Sequence, residues 1–374
     1  MRTLVKLAVL AVAGSLTLGT AVNARELRTA PAAPPAHPAN GVMYTNFAKY
    51  LPEESQGRLT AKILGPEVVN LGQMKDALRS RITEVGNLLP LYFPADLPNM
   101  ALAGELSLLG TNPQATAAAV TEFVVTCEPC QREMRRFGVV FLGSGASDVY
   151  EIMTSKPVRK PEDLKGLRLR SGGAPWARLA QHFGATPVQM SVFDQFEAMN
   201  QGVIDGTMAS IADLISFRLI ETVKYVTFLP IGLYQSTSNF ATATATWDSL
   251  SVEDRAAMAR AANRANTDFT HRWGTEMEKE AETAAKAKGI EMIQPDAAFV
   301  AAFQSFAKTE PESVAALSAK NFGIQDAGER IKRFLALTEK WTAIANSVNS
   351  DPKQMAAKLQ QEVWSKVDYS KYGM

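Results

Sequence analysis

Apolar residues along this chain switch between a spacing of two and a spacing of three to four, the periods of half-buried strands and amphipathic helices. The clearest run is residues 161–206, PEDLKGLRLRSGGAPWARLAQHFGATPVQMSVFDQFEAMNQGVIDG. Pro161 opens a single helical turn that Gly166 ends, and Leu167, Arg168, Leu169 and Arg170 then alternate as a strand. With the leucines facing the core, both arginines share the opposite face. Residues 176–183 have helical spacing with Gly184 as the stop, 186–190 read as a strand, 193–201 as a helix, and Gly202 as a second stop. Residues 203–206 then lead out at a strand end. Arg170 closes its strand just before Ser171-Gly172-Gly173, a loop that can present backbone N–H groups to an anion. The stretch reads as the floor of a cleft, since ligands of open α/β sheets sit beyond the carboxyl ends of strands.

The same switching continues on both sides. Leu27 to Thr29 reads as a first strand, after which the prolines of TAPAAPPAHPAN force a loop. GVMYTNFAKYLPEES is helical, RLTAKIL a strand, NLGQMKDALRSR a helix capped by Asn70, and ITEVGNLLPLYFP a strand entering a Pro-rich loop that carries Tyr92. ATAAAVTEFVVTCEPCQREMRRFG predicts one long helix and GVVFLGSGASDVYEIMT a return to strand. Beyond the central stretch, ADLISFRLIETV is helical and KYVTFLPIGLY a strand. STSNFATATATW is a strand crossing back to the first half. Ser251 and Asp254 cap a very long helix that runs to about Lys288, a beam across two halves. Helical patterns fill the remainder. Such alternation predicts an α/β fold of mostly parallel sheets covered by helices.

Length makes this two domains, because a single core rarely grows to 374 residues. Basic and acidic residues nearly cancel, 39 against 38, so charge does not direct the chain to nucleic acid or a membrane surface. Residues 1–24, MRTLVKLAVLAVAGSLTLGTAVNA, join a basic start, an apolar run and small residues at Val22 and Ala24. They predict an export signal cleaved after Ala24 and a soluble periplasmic protein. A membrane anchor is the rival reading, against which the run is short and broken by Gly14 and Gly19.

Little in the sequence suggests catalysis. Cys127 and Cys130 form C-E-P-C between helical patterns. In an oxidising compartment this pair reads as a small structural disulfide, with free thiols or redox chemistry as the other readings. His37, His182 and His271 complete no metal spacing and read as surface or capping residues. Gly143-Ser144-Gly145 lacks phosphate-loop spacing and reads as a turn, and G-x-S-x-G is absent. A cofactor-free binding protein is expected rather than an enzyme.

PEDLKGLRLR, HFGATPVQM, FEAMNQGVIDG, VKYVTF and the W-x-x-L-x-x-E-x-R start at Trp247 share an order and spacing. Together they resemble the extracytoplasmic solute receptors of TRAP transporters, over the chain from the signal to about residue 310. The resemblance implies two α/β lobes with crossing strands and a long interlobe helix, closing on a small organic acid. It implies lobe I from residues 25–148 and 235–270, lobe II from 149–234 and 271–310, and a helical extension over 311–374. It also implies delivery of the acid by a monomer to small and large membrane subunits. The family's carboxylate-clamping arginine falls on Arg170, which can bind a carboxylate through both guanidinium nitrogens.

Departures from the family narrow the ligand. Where many members carry a second arginine, this chain has Tyr150, and the frequent D-G-Q-E-N becomes Asp205-Gly206-Thr207-Met208-Ala209. The tryptophan–glutamate pair that holds a metal in some keto-acid binders is missing. A monocarboxylate with an apolar or aromatic body is therefore expected. Trp176 reads as a flat cleft wall or as helix core, and Tyr150 as a hydroxyl donor to the ligand or as a filler of the lost arginine's space. Ser210 and Asp213 are candidates for the ligand or for helix capping, and Tyr92 and Tyr234 for cleft-facing loops or for surface packing. Arg168 is expected to be solvated or paired with Glu162 or Asp163. An ABC-type receptor or a periplasmic sensor for a carboxylate would share the lobes and the cleft.

Overall fold

The computed structural model describes residues 24–374, so the expected export signal lies outside the described residues apart from Ala24. In chain order the strands of the first half are β1 (Arg25–Ala30), β2 (Leu59–Ile63), β3 (Val85–Leu88) and β4 (Val139–Val140). β5 (Tyr150–Thr154), β6 (Arg168–Ser171), β7 (Thr186–Gln189), β8 (Gly206–Ser210) and β9 (Tyr225–Thr227) follow, then β10 (Ser238–Ala243) and β11 (Glu291–Ile293). They form two sheets flanked by helices, ordered β2-β1-β3-β10-β4 and β11-β9-β5-β8-β6-β7.

The sheets are mixed, and the antiparallel pairs have one cause. Each of them involves β5 or β10. The chain reaches β5 by leaving the first sheet and β10 by leaving the second, so each crossing strand enters its new sheet against the local direction. The remaining pairs are parallel, as the βα alternation requires. The parallel strands β1, β3, β6 and β8 therefore end close to where β5 and β10 begin. The mouth of the molecule is built there.

The long helix is present but not uniform. Ser251 Oγ accepts from Asp254 N, the helix Val252–His271 follows, a wide turn spans Arg272–Glu276, and Met277–Ala287 completes it. The expected helix over 115–138 is two, Pro113–Val125 and Glu128–Phe137. Pro129 belongs in a first turn, and the Cys127 sulfur accepts from Cys130 N as a cap, so the chain restarts there. Cys127 and Cys130 are joined by a disulfide, as the first of the three sequence readings expected.

Residues beyond 310 clasp the first sheet's helices. Trp341 Nε1 donates to Glu122 Oε2 (2.6 Å), Asn263 Nδ2 to the Ala356 carbonyl (2.8 Å) and Trp247 Nε1 to the Tyr372 carbonyl (2.8 Å). Among the described residues, no helix is long and apolar enough to cross a membrane.

Candidate ligand-binding site

A cavity lies where the two sheets face each other. The first half contributes His37 from the loop after β1, Tyr92 from the turn after β3, and Asn239 from β10. The second half contributes Tyr150 at the start of β5, Arg170 near the end of β6, and Asp213 and Phe217 beyond β8. Tyr234 on the crossing segment and Trp273 in the wide turn of the long helix close it. The free volume is about 40 Å³, room for a few waters where ~10–15 Å³ holds one. An aromatic acid needs the halves to part before it can enter.

Arg170 is 1% exposed, an unusual depth for a guanidinium. Its partners are both neutral: Nε donates to the Met190 carbonyl and Nη2 to the Tyr92 hydroxyl, each at 3.2 Å. Nη1 is buried without a partner. A buried cation that keeps a free donor is costly unless an anion joins it. Gly172 leaves that edge open, since a Cβ there would stand 3.2 Å from Nη1. Arg168, two residues earlier on the exposed side, pairs through two nitrogens with Asp205 at 3.0 Å, not with Glu162 or Asp163. Register explains the choice, because Asp205 leads directly into β8, which lies beside β6.

Aromatic rings make the wall. Tyr150 stacks on Trp176 with ring centres 4.6 Å apart, and Trp176 is near parallel to Tyr234 at 5.7 Å. Trp176 stands behind this wall and not on it: it is fully buried, does not line the cavity, and donates from Nε1 to the Ile231 carbonyl. The faces offered to a ligand are those of the tyrosines. Burial raises the pKa of both Tyr150 and Tyr234 above the usual phenol range, so both hydroxyls stay protonated as donors. The Tyr234 hydroxyl has no partner.

Ser210 also lies outside the cavity lining, where its Oγ accepts from Trp273 Nε1 (3.1 Å) and from Ala212 N (3.2 Å). Tyr92, Tyr150, Arg170, Asp213 and Tyr234 are thus brought together, with Trp176 and Ser210 one layer behind. Asp213 is buried beside this group, and burial pushes its carboxyl up to about 7, against the opposing pull of Ser216 and Arg170.

His37, Phe217, Asn239 and Trp273 were not among the sequence candidates. Burial pushes His37 down to about 3, so the ring is neutral. Its Nδ1 accepts from Ala39 N (3.0 Å), which leaves the proton on Nε2 as a donor. The expected capping role holds, but the residue is buried, with its ring 5.1 Å from Trp273 and 5.3 Å from Phe217. The available signal was the cluster Pro34, Pro35 and Pro38, which fixes the loop leaving a strand end.

Residues 30–315 match the family model described as bacterial extracellular solute-binding protein, family 7. The chain belongs to this family. A solute-binding protein of Chromohalobacter salexigens is 25% identical over 308 residues, covering 80% of this chain and 89% of the relative. Two solved TRAP periplasmic solute-binding proteins share the fold. One, from Bordetella bronchiseptica with bound (R)- and (S)-mandelate, is 23% identical, with TM-score 0.73 over 84% of this chain and 99% of its own. The other, from Rhodoferax ferrireducens with copurified benzoate, is 20% identical, with TM-score 0.74 over 86% of this chain and 99% of its own. As a family-7 protein, this chain is a TRAP-type solute receptor with the two-lobed fold, and its cavity lies between the lobes.

Proposed function

We propose that this receptor captures an aromatic monocarboxylate on Arg170 and hands it to a pair of TRAP membrane subunits. One observation carries the reading: a fully buried guanidinium with neutral partners and one free nitrogen, inside an aromatic cavity. A carboxylate neutralises the charge and takes the free donor, with the Tyr234 and Tyr92 hydroxyls as further donors. The tyrosine faces suit a flat apolar body and leave a second carboxylate without a cation of its own. Mandelate and benzoate in the Bordetella and Rhodoferax receptors agree with this choice.

Binding closes the cleft by population shift, because the ligand touches Arg170 on one lobe and His37 or Asn239 on the other. We assign residues 25–148 and 235–270 to one lobe, 149–234 and 271–310 to the other, and 311–374 to an extension. The mature chain starts after Ala24 in the periplasm and acts as a monomer. The test is a thermal-shift and calorimetric screen of organic acids on residues 25–374. Benzoate-like acids should raise the melting temperature and succinate should not. Succinate or malate binding well above benzoate refutes the reading.

A further inference from the structure

We infer that Asp213 makes the pocket select acids carrying a second hydrogen-bond donor, a hydroxyl or amino group, besides the Arg170-bound carboxylate. The inference rests on the carboxylate-receptor reading above and adds a second polar group to the ligand.

Capping does not explain Asp213. It opens a four-residue helix, Asp213–Ser216, yet its side chain accepts from no backbone N–H. That service is given by its neighbours: Ala212 N donates to Asp148 Oδ2 (3.3 Å) and to Ser210 Oγ (3.2 Å). The hydrogen bond made by the Asp213 carboxyl is from Ser216 Oγ to Oδ1 (2.9 Å), and among the described residues nothing bonds Oδ2. An acid with one hydroxyl partner, 1% exposed and among aromatic rings, costs stability and gives the fold little in return.

Charge balance points the same way. Arg170 and Asp213 line one cavity, so the empty pocket can be neutral with both ionised. An incoming carboxylate takes the arginine and leaves Asp213 as a surplus negative group. A ligand ammonium restores neutrality, and a ligand hydroxyl gives the carboxylate the donor it lacks. The groups facing it are Tyr150 and Asp148, both shifted upward by burial and by the nearby Asp213, and neither hydrogen-bonds the Asp213 carboxyl, whose partner is Ser216.

The experiment compares matched ligands by calorimetry on residues 25–374. The pairs are benzoate with 3-hydroxybenzoate, and phenylacetate with mandelate and phenylglycine. A charged hydrogen bond in a buried site predicts about tenfold or more in favour of at least one donor-bearing member of each pair. In Asp213→Ala that preference should fall to about threefold or less, while plain benzoate tightens because the charge opposing its carboxylate is gone. Asp213→Asn, which keeps the shape, should give an intermediate preference. If the variants do not fold, the wild-type ratios decide alone. Equal wild-type affinity within both pairs overturns the inference and leaves the receptor reading standing. Failure of every aromatic acid to bind overturns both.

Discussion

The Tyr92 hydroxyl accepts from Arg170 Nη2 at 3.2 Å and from Val192 N at 3.0 Å, so one side chain of the first lobe holds two donors of the second. Both lone pairs are used, and its own proton is left to donate to a ligand. Tyr92 also lines the outer hollow with Gly172 and Met190, so it stands between cavity and entrance. Tyr92→Phe strips two buried donors of their acceptor, which costs roughly 1–3 kcal/mol each where water cannot replace it. Affinity should fall about tenfold or more, and small-angle scattering should report a more open protein. An unchanged scattering profile and affinity would remove Tyr92 from the closure.

Arg170→Lys tests geometry separately from charge. Lysine keeps the cation but cannot bond the Met190 carbonyl, Tyr92 and a carboxylate in one plane. The variant should fold, judged by circular dichroism, and lose about a hundredfold in benzoate affinity, with Arg170→Ala abolishing binding. Retained affinity in the alanine variant would move the carboxylate elsewhere.

Gly172 makes a subtler prediction. Its backbone does not need a left-handed angle, so alanine is tolerated by the chain itself, and the difficulty is space. A methyl at 3.2 Å from Arg170 Nη1 and 3.3 Å from Nη2 must push the guanidinium. Gly172→Ala should keep the melting temperature within a few degrees while weakening ligand binding about three- to tenfold. An affinity equal to wild type would show that Arg170 has room to yield.

Arg170 could be placed from sequence because alternation and a glycine loop together fix one residue at a strand end. Tyr150 follows from the position of the family's second arginine and Asp213 from the helix start after the last strand, and the facing register of Tyr150 with Ser210 sets both at one end of the sheet. For Trp176, helical spacing gives the face of a helix but not the layer it meets, which leaves cleft wall and helix core both open: its ring lies in the stack behind Tyr150. His37 and Trp273 come from opposite ends of the chain and meet only through tertiary packing. Trp273 reaches the cavity from a wide π turn, an irregularity that a 3.6-residue period cannot reveal. The sheets' mixed character was hidden for the same reason, since strand direction depends on which sheet a strand joins.

Removing the disulfide should leave the site alone. The Cys127–Cys130 bridge closes a very short loop beside a buried cap, where the chain-entropy model gives about 2 kcal/mol. A double serine variant should melt a few degrees lower and bind benzoate as before. A large loss of affinity would tie this distant turn to the cleft.

The last prediction concerns pH. Burial raises the Asp213 carboxyl to about 7 in the folded protein, against roughly 3.9 in an unfolded chain. Between those values the folded state holds a proton that the unfolded state has released. The contribution is complete below about pH 4 and is lost as pH rises toward 7. Asp148 and Glu151 are shifted upward by burial as well, so the wild-type curve contains their titrations too. The difference between wild type and Asp213→Asn isolates the one group. Asparagine cannot ionise, so the variant should gain on the wild type by on the order of 2–4 kcal/mol between pH 4.5 and pH 8, read by urea denaturation of ligand-free protein. Benzoate affinity of the wild type should also fall across pH 7, because an ionised Asp213 opposes the ligand carboxylate. A stability difference that is flat with pH would mean that Asp213 is ionised in the folded protein at every pH tested.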